Sequence, residues 1–413
     1  MKTKPFIISK SLVVDAYKRV KSRKGTGGID EVTLKDFEEN LKDNLYKIWN
    51  RLSSGSYFPP SVKGTEIPKK NGGVRLLGIP TIADRIAQMV IRLIFEPLVE
   101  PYFHDDSYGY RPKRSALDAI GVTRKRCWKF DWVLEFDIKG LFDNIDHDLL
   151  MKAVHKHTNC KFTILYIERW LKAEMIMPDG SIRKRDRGTP QGGVISPVLA
   201  NLFLHYVFDK WLEVHFPDLK WCRYADDGLV HCRTLENARF VMNLLEKRFK
   251  ECGLEMHPDK TKVVYCKDDD RREDFSETSF DFLGYTFRPR GAKSRYGKLF
   301  TSFLPGVSKE ALKAMNMETR RRGFRNSTEL ELNDISRMYN RVLMGWFNYY
   351  GKYYPSALAP LWRHFNRTLV AWAMRKYKKL KGKTRAINML ERIAKENPRL
   401  FVHWKKGIVG AFA

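Results

Sequence analysis

Near the middle of the chain two adjacent carboxylates interrupt an apolar stretch, Lys220-Trp221-Cys222-Arg223-Tyr224-Ala225-Asp226-Asp227-Gly228-Leu229-Val230-His231-Cys232. Two short β-prone runs flanking a tight polar break read as a hairpin, with Asp226 and Asp227 at its turn. Turns favour aspartate for backbone reasons alone, but two like charges this close are costly unless a cation shares them. Hard divalent ions such as Mg2+ take oxygen ligands and keep waters that phosphate can replace. In Trp132-Val133-Leu134-Glu135-Phe136-Asp137-Ile138, residues 134, 136 and 138 share one strand face while Glu135 and Asp137 share the other. The strand stops at Lys139-Gly140, so Asp137 sits at its end and can point away from the core. Either stretch alone reads as a solvated turn or strand end. Together, carboxylates from two strand ends form a cage for two metals about 3.5–4 Å apart, the arrangement of in-line phosphoryl displacement.

Three segments in order, Phe136-Asp137-Ile138-Lys139-Gly140-Leu141-Phe142, Gly188-Thr189-Pro190-Gln191-Gly192-Gly193-Val194-Ile195-Ser196-Pro197 and Tyr224-Ala225-Asp226-Asp227, resemble the palm motifs of reverse transcriptases. The long middle run and the alanine in Tyr-Ala-Asp-Asp are most similar to the group II intron reverse transcriptase/maturase branch. The resemblance implies an α+β right-hand polymerase: fingers and a palm with a split βαβ sheet, then an α-helical thumb or X domain. It implies that Asp137, Asp226 and Asp227, with Ile138 beside them, hold two Mg2+ ions, Mn2+ being the alternative. Phe142 matches the aromatic steric gate that crowds a ribose 2′-OH, and Tyr224 supports the primer end.

At 413 residues the chain has room for two or three domains with proper cores. Lysine and arginine number 76 against 48 acidic residues, a net charge of +28, which predicts salt-sensitive affinity for a polyanion. Aromatics at 13%, interleaved with the basic residues, favour nucleic acid over a ribosome-like structural role or an anionic membrane surface, because bases stack on rings. The six cysteines, at 127, 160, 222, 232, 252 and 266, include no Cys-x-x-Cys pair, so they read as reduced thiols. The N-terminus lacks a signal-peptide apolar core, and no apolar run approaches membrane-spanning length. The expected location is the bacterial cytoplasm or nucleoid.

Residues 1–60 read as a helical N-terminal extension, with amphipathic stretches at 11–20 and 33–52 around the break Gly25-Thr26-Gly27-Gly28-Ile29-Asp30. Residues 62–79 read as a hairpin turning at Lys69-Lys70-Asn71-Gly72-Gly73. In the family its basic residues grip the incoming triphosphate, and Lys69 and Arg75 are the matching positions; Arg85, at the start of the next helix, is a weaker candidate for a template or nucleotide contact. Ser107-Tyr108-Gly109-Tyr110-Arg111-Pro112 resembles a family motif with Tyr110 in place of phenylalanine, a support of the fingers–palm junction. Asp146 and Asp148 read as caps of the next helix and His147 as structural. A hairpin around Pro178-Asp179-Gly180 leads through the basic run Arg183–Arg187 into the loop with Pro190, Gln191 and Gly192. There glycines allow close approach of a strand, Gln191 can hydrogen-bond a nucleotide, and the resemblance places the loop beside the templating pair. Single helices are expected over 196–214 and 235–252. Lys260 matches a lysine that donates a proton to the leaving pyrophosphate, the alternative being a surface lysine. The acidic loop 268–274 reads as a connector. Leu283-Gly284, within Phe280–Phe287, matches the primer grip.

Residues 338–354 resemble the maturase thumb or X domain, and from 363 to 406 there are 14 Lys/Arg against 2 Asp/Glu. The expected organisation is an N-terminal extension (1–60), fingers and palm (61–288), thumb/X domain (289–375) and a short basic nucleic-acid-binding tail (376–413). The resemblance implies an RNA-directed DNA polymerase that binds its intron RNA to assist splicing and copies RNA into cDNA for retrohoming. Intron RNA, RNA template, DNA primer or target and dNTPs are the partners, with protein partners open. Nothing resembling the zinc-bearing His-Asn-His nuclease of many relatives follows residue 375. The competing readings are an RNA-binding splicing factor with an unused polymerase site and a domesticated enzyme of phage defence or a CRISPR system.

Overall fold

The computed structural model describes residues 4–68, 72–380, 382–409 and 412. The chain forms two compact units, residues 1–119 with 134–263 and residues 120–133 with 264–413. Among the described residues the strands are β1 (Val62–Pro68), β2 (Val74–Ile79), β3 (Trp132–Asp137), β4 (Met175–Ile176), β5 (Ile182–Arg183), β6 (Lys220–Tyr224), β7 (Asp227–Cys232), β8 (Lys262–Tyr265), β9 (Phe280–Phe282), β10 (Tyr285–Lys293) and β11 (Leu299–Val307).

In the first unit, helix Lys10–Ser22 starts at Ser9, whose hydroxyl accepts from the Leu12 amide (3.2 Å), and buries Val13, Ala16, Tyr17 and Val20. It packs on helix Ile82–Val99. The helix expected over 33–52 is two, Leu34–Glu39 and Leu41–Ser54, broken at Asn40 (φ −119°, ψ 42°). Asparagine's short amide competes with helical backbone bonding, so it favours such a break. β1 and β2 form the expected antiparallel hairpin, with Ile67 opposite Arg75. β4 and β5 add to it in the order β2-β1-β4-β5. Lys69 lies outside the described residues.

The palm sheet runs β6-β7-β3-β8. Its hairpin β6–β7 pairs Tyr224 with Asp227, so the connecting loop is Ala225-Asp226. The helix expected over 196–214 is interrupted: Ser196–Leu204 and Lys210–His215 flank a π-turn at His205–Asp209. Such wide turns cluster at functional sites because they redirect a side chain; here the chain turns Asp209 inward, fully buried. Asp146 caps helix His147–His157 by accepting the Leu149 amide (2.8 Å), as expected.

In the second unit, β9, β10 and β11 form one antiparallel sheet. Leu283 (φ 53°) and Gly284 (φ 79°) make the two-residue turn between β9 and β10, the left-handed pair that a tight hairpin needs. Helices Lys309–Arg321, Leu332–Tyr350, Ala359–Lys376 and Lys383–Glu396 surround a core holding Trp362, Phe365, Trp372, Phe401 and Trp404. The segment 376–413 is therefore not a separate tail. Ala386, Leu390 and Ala394 fall on one helix face and are fully buried, and Phe401 and Trp404 join the same core. Basic residues occupy the other face of an amphipathic helix, which hid this packing. All six cysteines are thiols, and among the described residues no helix is long and apolar enough to cross a membrane.

Candidate active site

β3 and β7 are neighbours in the palm sheet, and this adjacency brings Asp137 to the aspartate pair. A glycine makes the approach close. A Cβ on Gly228 would stand 2.1 Å from the Phe136 ring, so no other residue fits after Asp227 without displacing that ring. Asp137 is 8% exposed, and its carboxylate lies within hydrogen-bonding reach of Asp227. The Ile138 amide donates to the Asp226 carbonyl (3.3 Å), and the His257 amide donates to the Asp137 carbonyl (2.8 Å).

Burial raises the Asp226 carboxyl; its own backbone N–H opposes the rise and the Asp137 charge adds to it. Burial, then the charges of Asp226 and Asp137, push Asp227 up to about 7. A carboxyl group that resists ionisation at neutral pH marks a cluster short of positive charge. Lys260 supplies part of it, its ammonium 2.5 Å from Asp137 Oδ2. Burial lowers the lysine pKa, but the hydrogen bond and charge of Asp137 outweigh that and leave it raised. Among the described residues no three His, Cys, Asp or Glu side chains are drawn together as a ready metal cage. The donor set nevertheless fits hard divalent ions: converging carboxylates, oxygen donors only, under mutual repulsion that a cation would relieve.

The other expected site residues of this unit gather nearby. Arg75 Nε donates to Gln191 Oε1 (2.6 Å), which joins the fingers hairpin to the Gly188–Gly193 loop. The Gly78 amide donates to the Gln191 carbonyl (2.8 Å). That loop is held by backbone bonds to the short helix Leu141–Asn144: the Thr189 amide reaches the Phe142 carbonyl (2.6 Å) and the Gly188 amide the Ile145 carbonyl (2.7 Å). His147 Nε2 meets the Gly188 carbonyl (2.7 Å), so its structural role is to pin this loop. Pro190 is buried and accepts the Gly193 amide (3.1 Å). Gln191, Gly192, Gly78, Thr26 and Arg85 line a cavity of about 170 Å³. Arg85 is engaged within the protein, donating to the carbonyls of Thr26 (2.6 Å) and Pro80 (3.0 Å).

Phe142 is 7% exposed and meets Tyr110 edge to face, ring centroids 6.4 Å apart. Tyr110 is raised by burial and then by Asp226, so its phenol faces the aspartate cluster. The Ser107–Pro112 motif thus lies against the aspartate cluster. A Cβ on Gly109 would stand 2.4 Å from the Ala225 nitrogen, so this glycine backs directly onto the Ala225-Asp226 turn. Leu283 and Gly284 belong to the second unit. There the Tyr349 hydroxyl donates to the Leu283 carbonyl (2.9 Å) and the Ser308 amide to that of Gly284 (3.0 Å).

Sequence reasoning missed the group that holds the turn. Arg223 is wholly buried and pairs in bidentate fashion with the equally buried Asp209, at 2.8 and 2.6 Å. Its remaining donors reach Asn201 Oδ1 (3.2 Å), Ser107 Oγ (2.9 Å) and the carbonyl of Ala225 (3.1 Å). Ala225 sits at φ 58°, a left-handed conformation that costs a non-glycine residue about 1–2 kcal/mol. Arg223 therefore ties a strained turn to the π-turn of the helix behind it. The available signal was an arginine inside an apolar strand and an aspartate inside an apolar helix stripe.

The reverse transcriptase (RNA-dependent DNA polymerase) profile matches residues 67–287, and the group II intron maturase-specific domain matches residues 312–390. Protein YkfC of Escherichia coli (strain K12) is 32% identical over 66% of this chain and 78% of its own length. The group II intron-encoded protein LtrA of Lactococcus lactis subsp. cremoris is 38% identical over 50% of this chain and 34% of its own. The putative COX1/OXI3 intron 1 protein of Saccharomyces cerevisiae is 34% identical over 65% of this chain and 37% of its own. The match therefore spans about a third of the two intron proteins. With carboxylates on adjoining palm strands and a maturase-type helical unit after them, the chain belongs to the reverse transcriptase family, in its group II intron-encoded maturase branch.

Proposed function

We propose that the chain copies RNA into DNA and binds a parent group II intron RNA to assist its splicing. The observation that carries the polymerase reading is the like-charged cluster Asp137, Asp226 and Asp227, with Asp227 pushed up to about 7. Those three, with Ile138, would hold two Mg2+ ions, with Mn2+ an alternative. Bound there, the ions lower the pKa of a primer 3′-hydroxyl and neutralise the triphosphate.

The chain's own residues do the rest. Lys260 leaves Asp137 and, with its raised pKa, carries a proton to the departing pyrophosphate oxygen. Arg75 and Gln191, already paired, present a cation and an amide to the incoming dNTP; Lys69 adds a second cation. Phe142 and Tyr110 wall the sugar and exclude a 2′-hydroxyl. Tyr224, Pro190 and Gly192 serve the primer and template, and Leu283 and Gly284 the primer grip. Positioning and charge neutralisation account for most of the catalysis in phosphoryl transfer, so these roles suffice without a covalent intermediate. A bacterial cytoplasmic location follows from the same reading.

Primer extension on an RNA template with dNTPs and Mg2+ tests the proposal, with splicing of the neighbouring intron RNA measured beside it. Full-length cDNA and stimulated splicing are expected. Splicing help with no cDNA from a folded protein would leave only the RNA-binding factor. cDNA synthesis from a gene with no intron RNA around it would favour the domesticated enzyme.

A further inference from the structure

β10 and β11 pair over nine residues, from Tyr285 opposite Val307 to Lys293 opposite Leu299. At about 3.4 Å per residue, the hairpin carries its tip roughly 27 Å from the Leu283-Gly284 turn at its base. The base is anchored. Arg290 donates to the carbonyls of Leu304 (3.2 Å) and Thr286 (3.1 Å), and the Tyr354 hydroxyl donates to the Gly291 carbonyl (2.9 Å). At the tip the bonds run within the turn itself: the Ser294 amide donates to the Lys298 carbonyl (2.8 Å) and the Lys298 amide to Ser294 Oγ (3.1 Å). Tyr296 is 80% exposed and Leu299 77%. Exposed Lys293, Arg295 and Lys298 surround them, and no acidic residue occurs between 286 and 302. The Arg295 guanidinium lies 4.6 Å from the Tyr296 ring centroid, so ring and charge are presented together.

Holding a tyrosine and a leucine in water at the end of a long arm is unfavourable unless a partner covers them. A flanking set of three cations on a segment that carries no acidic residue selects a polyanion over a protein surface of mixed charge. A ring beside cations suits an unpaired base stacked on the ring with its neighbouring phosphates paired. We propose that the β10–β11 tip is a binding site for single-stranded RNA, with Tyr296 as the stacking platform and Lys293, Arg295 and Lys298 as the phosphate contacts. The choice of RNA over single-stranded DNA rests on the function proposed above and on the maturase-specific domain at 312–390 in the same unit.

The test is fluorescence anisotropy of a labelled oligouridylate against the full chain. Tyr296→Ala weakens binding about tenfold, the loss expected of one base–aromatic stack, while Tyr296→Trp binds like wild type. Removing Arg295 and Lys298 together lowers the slope of log affinity against log salt by about 1.4, from about 0.7 per contact on a single strand. Melting temperatures stay unchanged because Arg295, Tyr296 and Lys298 are exposed. Wild-type affinity in Tyr296→Ala overturns the assignment, as does an equal loss on duplex RNA or a loss confined to oligothymidylate. If wild type makes cDNA and Tyr296→Ala binds normally, the hairpin assignment alone falls. If Tyr296→Ala loses RNA while wild type makes no cDNA, the hairpin stands and the polymerase reading falls.

Discussion

Replacing Arg223 by methionine separates stability from catalysis in this site. The substitution leaves the Asp209 carboxylate fully buried without its bidentate partner. His205 Nδ1 lies 3.9 Å away, and beside the intact pair burial holds that imidazole down at about 4, neutral at pH 7. Breaking one side of such a buried pair costs about 3–5 kcal/mol, whereas replacing both partners with apolar groups of similar volume is near neutral. Arg223→Met should therefore lose about 3–5 kcal/mol in urea unfolding, and the double variant Arg223→Met/Asp209→Leu should recover most of it. Catalysis should not recover. In both variants the Ala225 carbonyl has lost its donor, and the strained turn carrying Asp226 is released. A displacement near 1 Å at the reacting centre costs about a hundredfold in rate. Single-nucleotide incorporation at saturating dNTP reads the rate. A double variant that regains both stability and wild-type rate would refute the positioning role. An Arg223→Met protein as stable as wild type would refute the buried-pair account.

Asp227 gives a pH prediction. Its folded pKa of about 7 lies above the unfolded value, so the metal-free folded chain keeps a proton that the unfolded chain has lost. The stability from this group is full below pH about 4 and is lost as the pH rises towards 7. Calorimetry of metal-free protein should show Asp227→Asn gaining on wild type across that window, and Mg2+ should raise the wild-type melting temperature most at the alkaline end. Equal pH slopes for the two proteins would contradict the cluster's electrostatics. Trp404, 1% exposed in the second unit's core, should cost about 3–5 kcal/mol on truncation to alanine, measured by chemical unfolding. A cost below about 1 kcal/mol would restore the tail reading of residues 376–413.

What the sequence made legible is local. The β6–β7 hairpin, the β3 strand end, the fingers hairpin and the cap at Asp146 each depend on a few adjacent residues whose period or turn chemistry speaks for itself. The meeting of Asp137 with Asp227 depends instead on strand order, which only the ordered motifs could suggest. Gly228 shows why. It reads as an apolar-run residue, yet its missing Cβ is what lets Phe136 and β3 close on the hairpin. The Arg223–Asp209 pair was illegible because it joins a strand to a π-turn that no periodicity announces. The C-terminal helix was misplaced because its charge count outweighed the buried spacing of Ala386, Leu390 and Ala394. The β10–β11 arm stayed hidden because the expected boundary between palm and thumb, at 288/289, falls inside β10.

The most direct test of the central claim is single-nucleotide incorporation on an RNA template by Asp137→Asn, Asp226→Asn and Asp227→Asn, with RNA affinity measured on the same preparations. Each change should leave RNA binding intact and slow incorporation by at least about 10²–10³-fold, the loss typical of removing one electrostatic stabiliser. A wild-type rate in any one of the three, at normal RNA affinity, would contradict the claim that these carboxylates act together.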